Sequence, residues 1–250
     1  MKITILAENT VSPEAKRNCV AEWGLSVFIE THGVKILFDT GHSGIFASNA
    51  RSLGVDLDLI DTIVISHYHW DHTQGLLHYT FNQKKRLIGH PELFRKLPPK
   101  LQKITINSFL QEASIDPIEI SKGIFYLGEI KRTTNFEPGR YKDDPMRDDS
   151  ALAIATPRGA AVITGCSHSG ICNICEQAKR ITGQGLYLVL GGFHLSKDSP
   201  GLEETLSYFR KENPEHLFPM HCVDFPVQTM FFNIFASLRL GTGSTLEIPD

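Results

Sequence analysis

Between Ser66 and His72 the chain reads Ser-His-Tyr-His-Trp-Asp-His, which packs three imidazoles and one carboxylate into six consecutive positions, 67 to 72. Neutral imidazole and carboxylate are good ligands for zinc, iron and manganese. The run Asp61-Thr62-Ile63-Val64-Ile65-Ser66 before it has the apolar, β-branched character of a buried strand, so these side chains leave a strand end in a compact loop. His67 and His69, two positions apart, point the same way if the chain stays extended, and Asp71 and His72 can then turn toward an adjacent position. One loop can thus serve two metal ions. A lone histidine usually satisfies nearby backbone groups; four ligand-type residues together at a strand end point to a metal.

Two metals need more ligands than one loop supplies, and the chain repeats the strand-then-histidine context. Val162–Gly170 is a strand, a turn containing Cys166 and His168, and a helix start; Leu188–His194 is a strand ending in Gly191-Gly192-Phe193-His194; Leu217–Cys222 ends in His221. Their convergence with the dense cluster on one site is the expectation.

The rest of the sequence bounds the answer. At 250 residues the chain can bury a sizeable core, and we expect one domain over 1–250. A formal net charge of −3 gives no broad drive toward nucleic acid or an anionic membrane, and neither partner is expected. No apolar run approaches the roughly 20 residues of a membrane span. The N-terminus reads as a first strand and not a signal peptide, and five cysteines do not resemble a secreted disulfide framework, so a cytoplasmic location is expected.

Short β-branched runs alternate with turn signals. Strands are predicted at 26–30 and 34–38, forming a hairpin, and at 87–88, 123–127, 151–155, 160–164 and 186–190. Helices are predicted at 45–53, closing on Gly54, and at 170–181, 202–211 and 228–238. Two stretches read as insertions. Residues near 78–119 are apolar but irregular, broken by Pro98-Pro99. Residues 131–149 are polar and carry Lys131, Arg132, Arg140, Lys142 and Arg147. The second is either a solvated loop or a lid whose basic residues meet an anionic substrate group.

The segment His67-Tyr68-His69-Trp70-Asp71-His72 resembles the HxHxDH signature of the metallo-β-lactamase superfamily. Phe38-Asp39-Thr40-Gly41 resembles its upstream strand end, and Gly75-Leu76 the segment after the signature. Asn9-Thr10, Glu22–Ser26, Thr164–His168, Gly191–Leu195 and His221-Cys222 are similar to the branch containing 7,8-dihydropterin-6-methyl-4-(β-D-ribofuranosyl)-aminobenzene-5′-phosphate synthase. The resemblance implies an α/β (α+β) fold, a four-layer αββα sandwich of the metallo-β-lactamase type, with two divalent metal ions, zinc foremost and iron or manganese as alternatives. It implies that His67 and His69 bind a first metal, that Asp71, His72 and His221 bind a second, and that Asp39 orients a ligand loop. His168 is assigned to the first metal. Where the superfamily has a bridging aspartate this chain has Thr164-Gly165-Cys166, and Asp148-Asp149 stand where a histidine is expected; Cys166, Asp148 and Asp149 are alternatives for a further ligand. Tyr68, Trp70 and Gln74 are bulkier than the pattern and reshape the pocket mouth.

These residues suit a metal-dependent hydrolase using a metal-activated hydroxide on a small anionic molecule, a phosphoester or a pterin- or nucleotide-like phosphorylated compound. The alternatives are an iron-dependent oxidoreductase and a non-catalytic metal-binding sensor or scaffold. Asp71 can assist proton transfer beside its ligand role. His194, after a Gly-Gly lead-in, either faces the reacting group as general acid or phosphate donor or braces the metal loop. Phe193 can stack a flat substrate ring. Cys172 and Cys175 form a CxxC read as a structural pair, and the turn at Ser167–Gly170 offers helix N-terminal amides to a phosphate.

Overall fold

A computed structural model describes residues 1–15 and 18–249. The chain separates into two compact units, residues 1–114 with 240–250, and residues 115–239.

The first unit begins with β1 (Lys2–Ala7), β2 (Ser26–Thr31) and β3 (Val34–Phe38), then α1 (Ile45–Leu53), β4 (Thr62–Val64), α2 (Trp70–Thr73), β5 (Lys85–Gly89), α3 (Pro91–Lys96), α4 (Pro99–Ser108) and β6 (Phe109–Ala113). The expected hairpin is β2 with β3, paired antiparallel from Val27↔Phe38 to Thr31↔Val34. From β3 onward the pairing is parallel: β3 with β4, β4 with β5, β5 with β6. Parallel neighbours deliver their C-terminal ends to one sheet edge. The residues that follow β3 and β4, Asp39 and Ser66–His72, therefore emerge side by side. Helix α1 stops at Gly54 in the left-handed region (φ 77°), as its sequence predicts. The stretch near 78–119 is more regular than it reads, because Pro91 and Pro99 each open a short helix instead of breaking one. Phe28, Leu37, Phe46, Ile63, Leu87 and Phe109 are among the residues that form this unit's core.

The second unit holds β7 (Ile118–Ser121), β8 (Ile124–Tyr126), β9 (Ala151–Thr156), β10 (Gly159–Thr164), α5 (Ile171–Thr182), β11 (Leu186–Gly192), α6 (Leu202–Glu212), β12 (His216–Met220) and α7 (Phe225–Phe235). Strands β7 to β10 are antiparallel, then β10, β11 and β12 run parallel. The same rule applies: Gly165–Ser169, Phe193-His194 and His221 leave one edge together. Strands β10 and β11 are buried along their whole lengths, which explains their unbroken apolar reading. Helix α6 carries Glu203 and Glu204 in its first turn and Arg210 and Lys211 in its last, matching the helix dipole. Helix α7 starts three residues before the predicted start because Pro226 sits in its first turn, and it ends at Ala236 in the left-handed region. The core gathers Ala153, Val162, Cys172, Val189, Phe193, Phe209 and Phe231.

The chain then returns as β13 (Thr245–Glu247) to the first sheet, whose order is β13-β1-β2-β3-β4-β5-β6; the second runs β12-β11-β10-β9-β8-β7. Among the described residues no helix is long and apolar enough to cross a membrane.

Candidate functional site

In the first unit the loop after β4 is organised by Asp39. This residue is fully buried and held at φ 56°, a conformation that costs energy for any side chain but glycine. Its Oδ1 accepts the Ser66 amide at 2.7 Å, and its Oδ2 accepts the Ser66 hydroxyl at 2.7 Å. The same Oδ2 lies 2.7 Å from Nδ1 of His72. The carboxylate therefore holds the Nδ1 proton of His72 and leaves Nε2 as its lone-pair nitrogen, 3.8 Å from Oδ2 of Asp71. Asp71 is oriented in turn by the Trp23 indole, which donates to Oδ2 at 3.0 Å. Ser66 Oγ is also 2.9 Å from Nδ1 of His67.

The other nitrogen of His67, Nε2, lies 3.0 Å from Nδ1 of His69. Two ligands of a tetrahedral zinc, each about 2.0–2.1 Å from the metal, stand roughly 3.3 Å apart. The His67–His69 pair is close to that spacing, and His72 presents the tautomer a metal needs, so this donor set fits divalent cations. Gly75 closes the loop against the turn that follows β3: a Cβ there would collide with the Thr40 carbonyl oxygen. Tyr68 lies edge-on to His69 at 4.8 Å between centroids, with the Lys96 ammonium 4.7 Å over its ring, and Trp70 packs edge-on to His42.

In the second unit the three parallel strands end in strained residues: Ser167 at φ 58°, His194 at φ 48° and His221 at φ 55°. The Gly191-Gly192 lead-in lets β11 approach the β10 turn, because a Cβ on Gly191 would strike the Thr164 carbonyl and one on Gly192 the Cys222 sulfur. Ser167 Oγ bridges the two turns by donating to the Gly192 carbonyl at 2.6 Å. His168 and His194 come together, with centroids 4.4 Å apart, and Tyr141 packs against both at 5.1 and 5.6 Å. Burial lowers the pKa of His194 below the ordinary imidazole value, opposed by a backbone hydrogen bond and aided by a smaller electrostatic push from His221.

Among the alternatives for a further ligand, one carboxylate has partners in the turn after β10. Asp149 accepts the Ser169 amide at 2.9 Å and the Ser169 hydroxyl at 2.5 Å, which braces the turn that carries His168. Cys166 and Asp148 are buried. Phe193 does not offer a face to a substrate: it is 2% exposed and stacked on Phe209. Tyr141 is the ring beside the histidines, and nothing in the local sequence marked it. The amides at the start of α5 are not open to a phosphate either, since the Glu137 carboxylate accepts from Cys172 N at 2.8 Å and Asn173 N at 2.9 Å. Cys172 and Cys175 are buried free thiols, pushed far above the ordinary thiol pKa chiefly by desolvation, as a structural pair would be.

Two sheets with helices on an α/β plan, and a histidine–aspartate loop at the carboxyl edge of a parallel strand run, define a metallohydrolase-type fold. The family model described as the metallo-β-lactamase superfamily matches residues 24–177, and the chain belongs to that superfamily. It is 32% identical to 7,8-dihydropterin-6-methyl-4-(β-D-ribofuranosyl)-aminobenzene-5′-phosphate synthase of Methanocaldococcus jannaschii, over 86% of this chain and 85% of that protein. An uncharacterised protein of the same organism is 31% identical over 91% of this chain and 92% of its own length. Among solved structures, a metal-dependent hydrolase of the β-lactamase superfamily superposes with a TM-score of 0.85 at 29% identity, covering 100% of both chains. The fold is thus the metallo-β-lactamase type that the resemblance implied.

Proposed function

We propose that the chain is a metal-dependent hydrolase acting on a phosphoester, in a small molecule with a pterin- or nucleotide-like ring and a phosphate. The observation that carries this reading is the Asp39-organised loop, in which His67 Nε2 and His69 Nδ1 face each other at 3.0 Å and His72 is fixed with Nε2 as its lone-pair nitrogen. In this reading His67, His69 and His168 hold one metal, and Asp71, His72 and His221 hold a second. Divalent cations held there supply Lewis acidity and a water acidic enough to act as a nucleophile at neutral pH.

The protein's own groups have separable tasks. Asp39 and Trp23 aim the ligands, and Asp71 adds charge and a proton acceptor beside His72. Burial disfavours the charged form of His194, and in this reading the ring serves the reacting group by donating a hydrogen bond. The phosphorylated pterin-containing product named for the M. jannaschii relative supports the substrate class, as does the small cleft on the second unit beside His168 and His194. The buried, deeply protonated CxxC thiols offer no support for an oxidoreductase.

The test is cleavage of bis-p-nitrophenyl phosphate by purified protein. Activity that EDTA abolishes, zinc or manganese restores and His69→Ala removes is the expected result. Cleavage that survives complete metal removal overturns the reading.

A further inference from the structure

The segment from Lys131 to Asp149 carries five basic residues, and the structure gives them different work. Arg132 is consumed by the fold: its guanidinium donates to the carbonyls of Ile130, Pro145 and Met146 at 2.5, 2.7 and 2.9 Å. Lys131 and Arg147 lie outside the cleft. Arg140 and Lys142 line it, with Tyr141 between them and His168 and His194 among the other lining residues. The cleft has a volume of about 320 Å³, and its lining includes one carboxylate, Glu137, which is engaged by the amides of α5. Arg140 is exposed and makes no hydrogen bond or ion pair among the described residues.

The root of the segment is strapped to α5. Gln177 Oε1 accepts the Lys131 amide at 3.0 Å, and Asn173 Oδ1 accepts the amides of Thr133 and Thr134 at 2.7 and 2.9 Å. Its tip is a two-residue turn in which Tyr141 and Asp144 exchange backbone hydrogen bonds of 2.9 and 3.0 Å. Lys142 occupies this turn at φ 52°, where glycine or asparagine is the ordinary choice. A lysine kept in that conformation is a strain the turn itself does not need. Its ammonium lies 5.2 Å from the centroid of Tyr141, the ring that packs against His168 and His194.

We propose that Arg140 and Lys142 form the recognition site for a phosphomonoester dianion on the substrate, with Tyr141 meeting the adjoining planar group. A guanidinium fork and an ammonium lining one cleft suit a dianion better than a single carboxylate. This rests on the proposed hydrolase reading for its substrate but not for its binding chemistry, which needs no metal.

The experiment is calorimetric titration of EDTA-treated protein with phenyl phosphate, with benzoate as a monoanionic control. Wild type is expected to prefer phenyl phosphate, and Arg140→Ala and Lys142→Gly each to weaken it at least ten-fold. Arg180→Ala, which removes an exposed charge from the last turn of α5, is expected to leave it unchanged. Lys142→Gly is also expected to melt at or above the wild-type temperature, since it relieves the turn. A purely structural role would lower the melting point and leave affinity alone. Inhibition by phenyl phosphate of bis-p-nitrophenyl phosphate cleavage reads the same shift in metal-loaded protein. Unchanged affinity in both variants, or no preference over benzoate, overturns the proposal. If hydrolysis is absent while binding depends on Arg140 and Lys142, the hydrolase reading fails and the anion site stands.

Discussion

The Asp39 carboxylate stands 2.7 Å from Nδ1 of His72, and this contact decides which nitrogen of that imidazole is left to act. Asp39 also accepts both the amide and the hydroxyl of Ser66, so one buried carboxylate fixes the start of the histidine loop and the tautomer at its end. In Asp39→Asn the side-chain nitrogen takes the place of one acceptor, and His72 and Ser66 compete for the other. We expect metal affinity to fall about 10–100-fold, as for other lost partners of metal ligands, with the fold retained. Competition against a chromogenic chelator measures it, and affinity equal to wild type would remove Asp39 from this role.

Gly75 and Gly33 make a matched pair. A Cβ at Gly75 runs into the Thr40 backbone, whereas Gly33, at φ 78°, has open space around it. Gly33→Ala should cost only the left-handed backbone penalty, about 1–2 kcal/mol. Gly75→Ala must move backbone under the histidine loop and should cost more, about 3 kcal/mol or above, in the range reserved for severe core changes. Urea denaturation of the two variants gives the comparison directly; equal costs would contradict it.

Burial raises the pKa of Glu137 above the ordinary carboxylate value even though it accepts hydrogen bonds from Cys172, Asn173 and Thr134. A folded pKa above the unfolded one means the folded protein holds this proton more tightly. Its contribution to stability is therefore full below the unfolded value of about 4.3 and is lost as pH rises through the raised folded pKa. Glu137→Gln should flatten that part of the stability–pH curve. Melting temperatures from pH 4 to 8 test it, and an unchanged curve shape in the variant would contradict it.

The thiols of Cys172 and Cys175 are buried and held in the protonated form. Native protein should react with iodoacetamide at these positions at least ten times more slowly than after denaturation in urea. Mass spectrometry of the labelled peptides reads the difference. Rapid native labelling, or an oxidised Cys172–Cys175 pair, would restore a redox role.

Much of this is legible in the sequence alone. The histidine loop announced itself through residue type and spacing, as did the strand-then-histidine contexts of His168, His194 and His221; the parallel pairing that lines up those strand ends carries no local signature and came from the fold. What stayed hidden depends on partners distant in sequence. Glu137 gave no sign that it would cap α5, because a long-range cap leaves no local pattern. Tyr141 sits in a polar loop with no periodicity, and only the fold brings it against His168 and His194. Trp23 was visible as part of a similar segment, but its bond to Asp71 needed the structure. Phe193 misled for the opposite reason, since a ring beside a candidate histidine looks available until the core claims it.

We propose that histidines from the loop after β4 and from the turns after β10 and β12 are the protein's metal ligands. Elemental analysis of metal per chain, in wild type and in His69→Ala, His168→Ala and His221→Ala expressed with ample zinc, tests it most directly. Close to two metal ions per wild-type chain are expected, with a loss of about one or more in each variant. A metal-free wild type, or variants that retain the full complement, would contradict it.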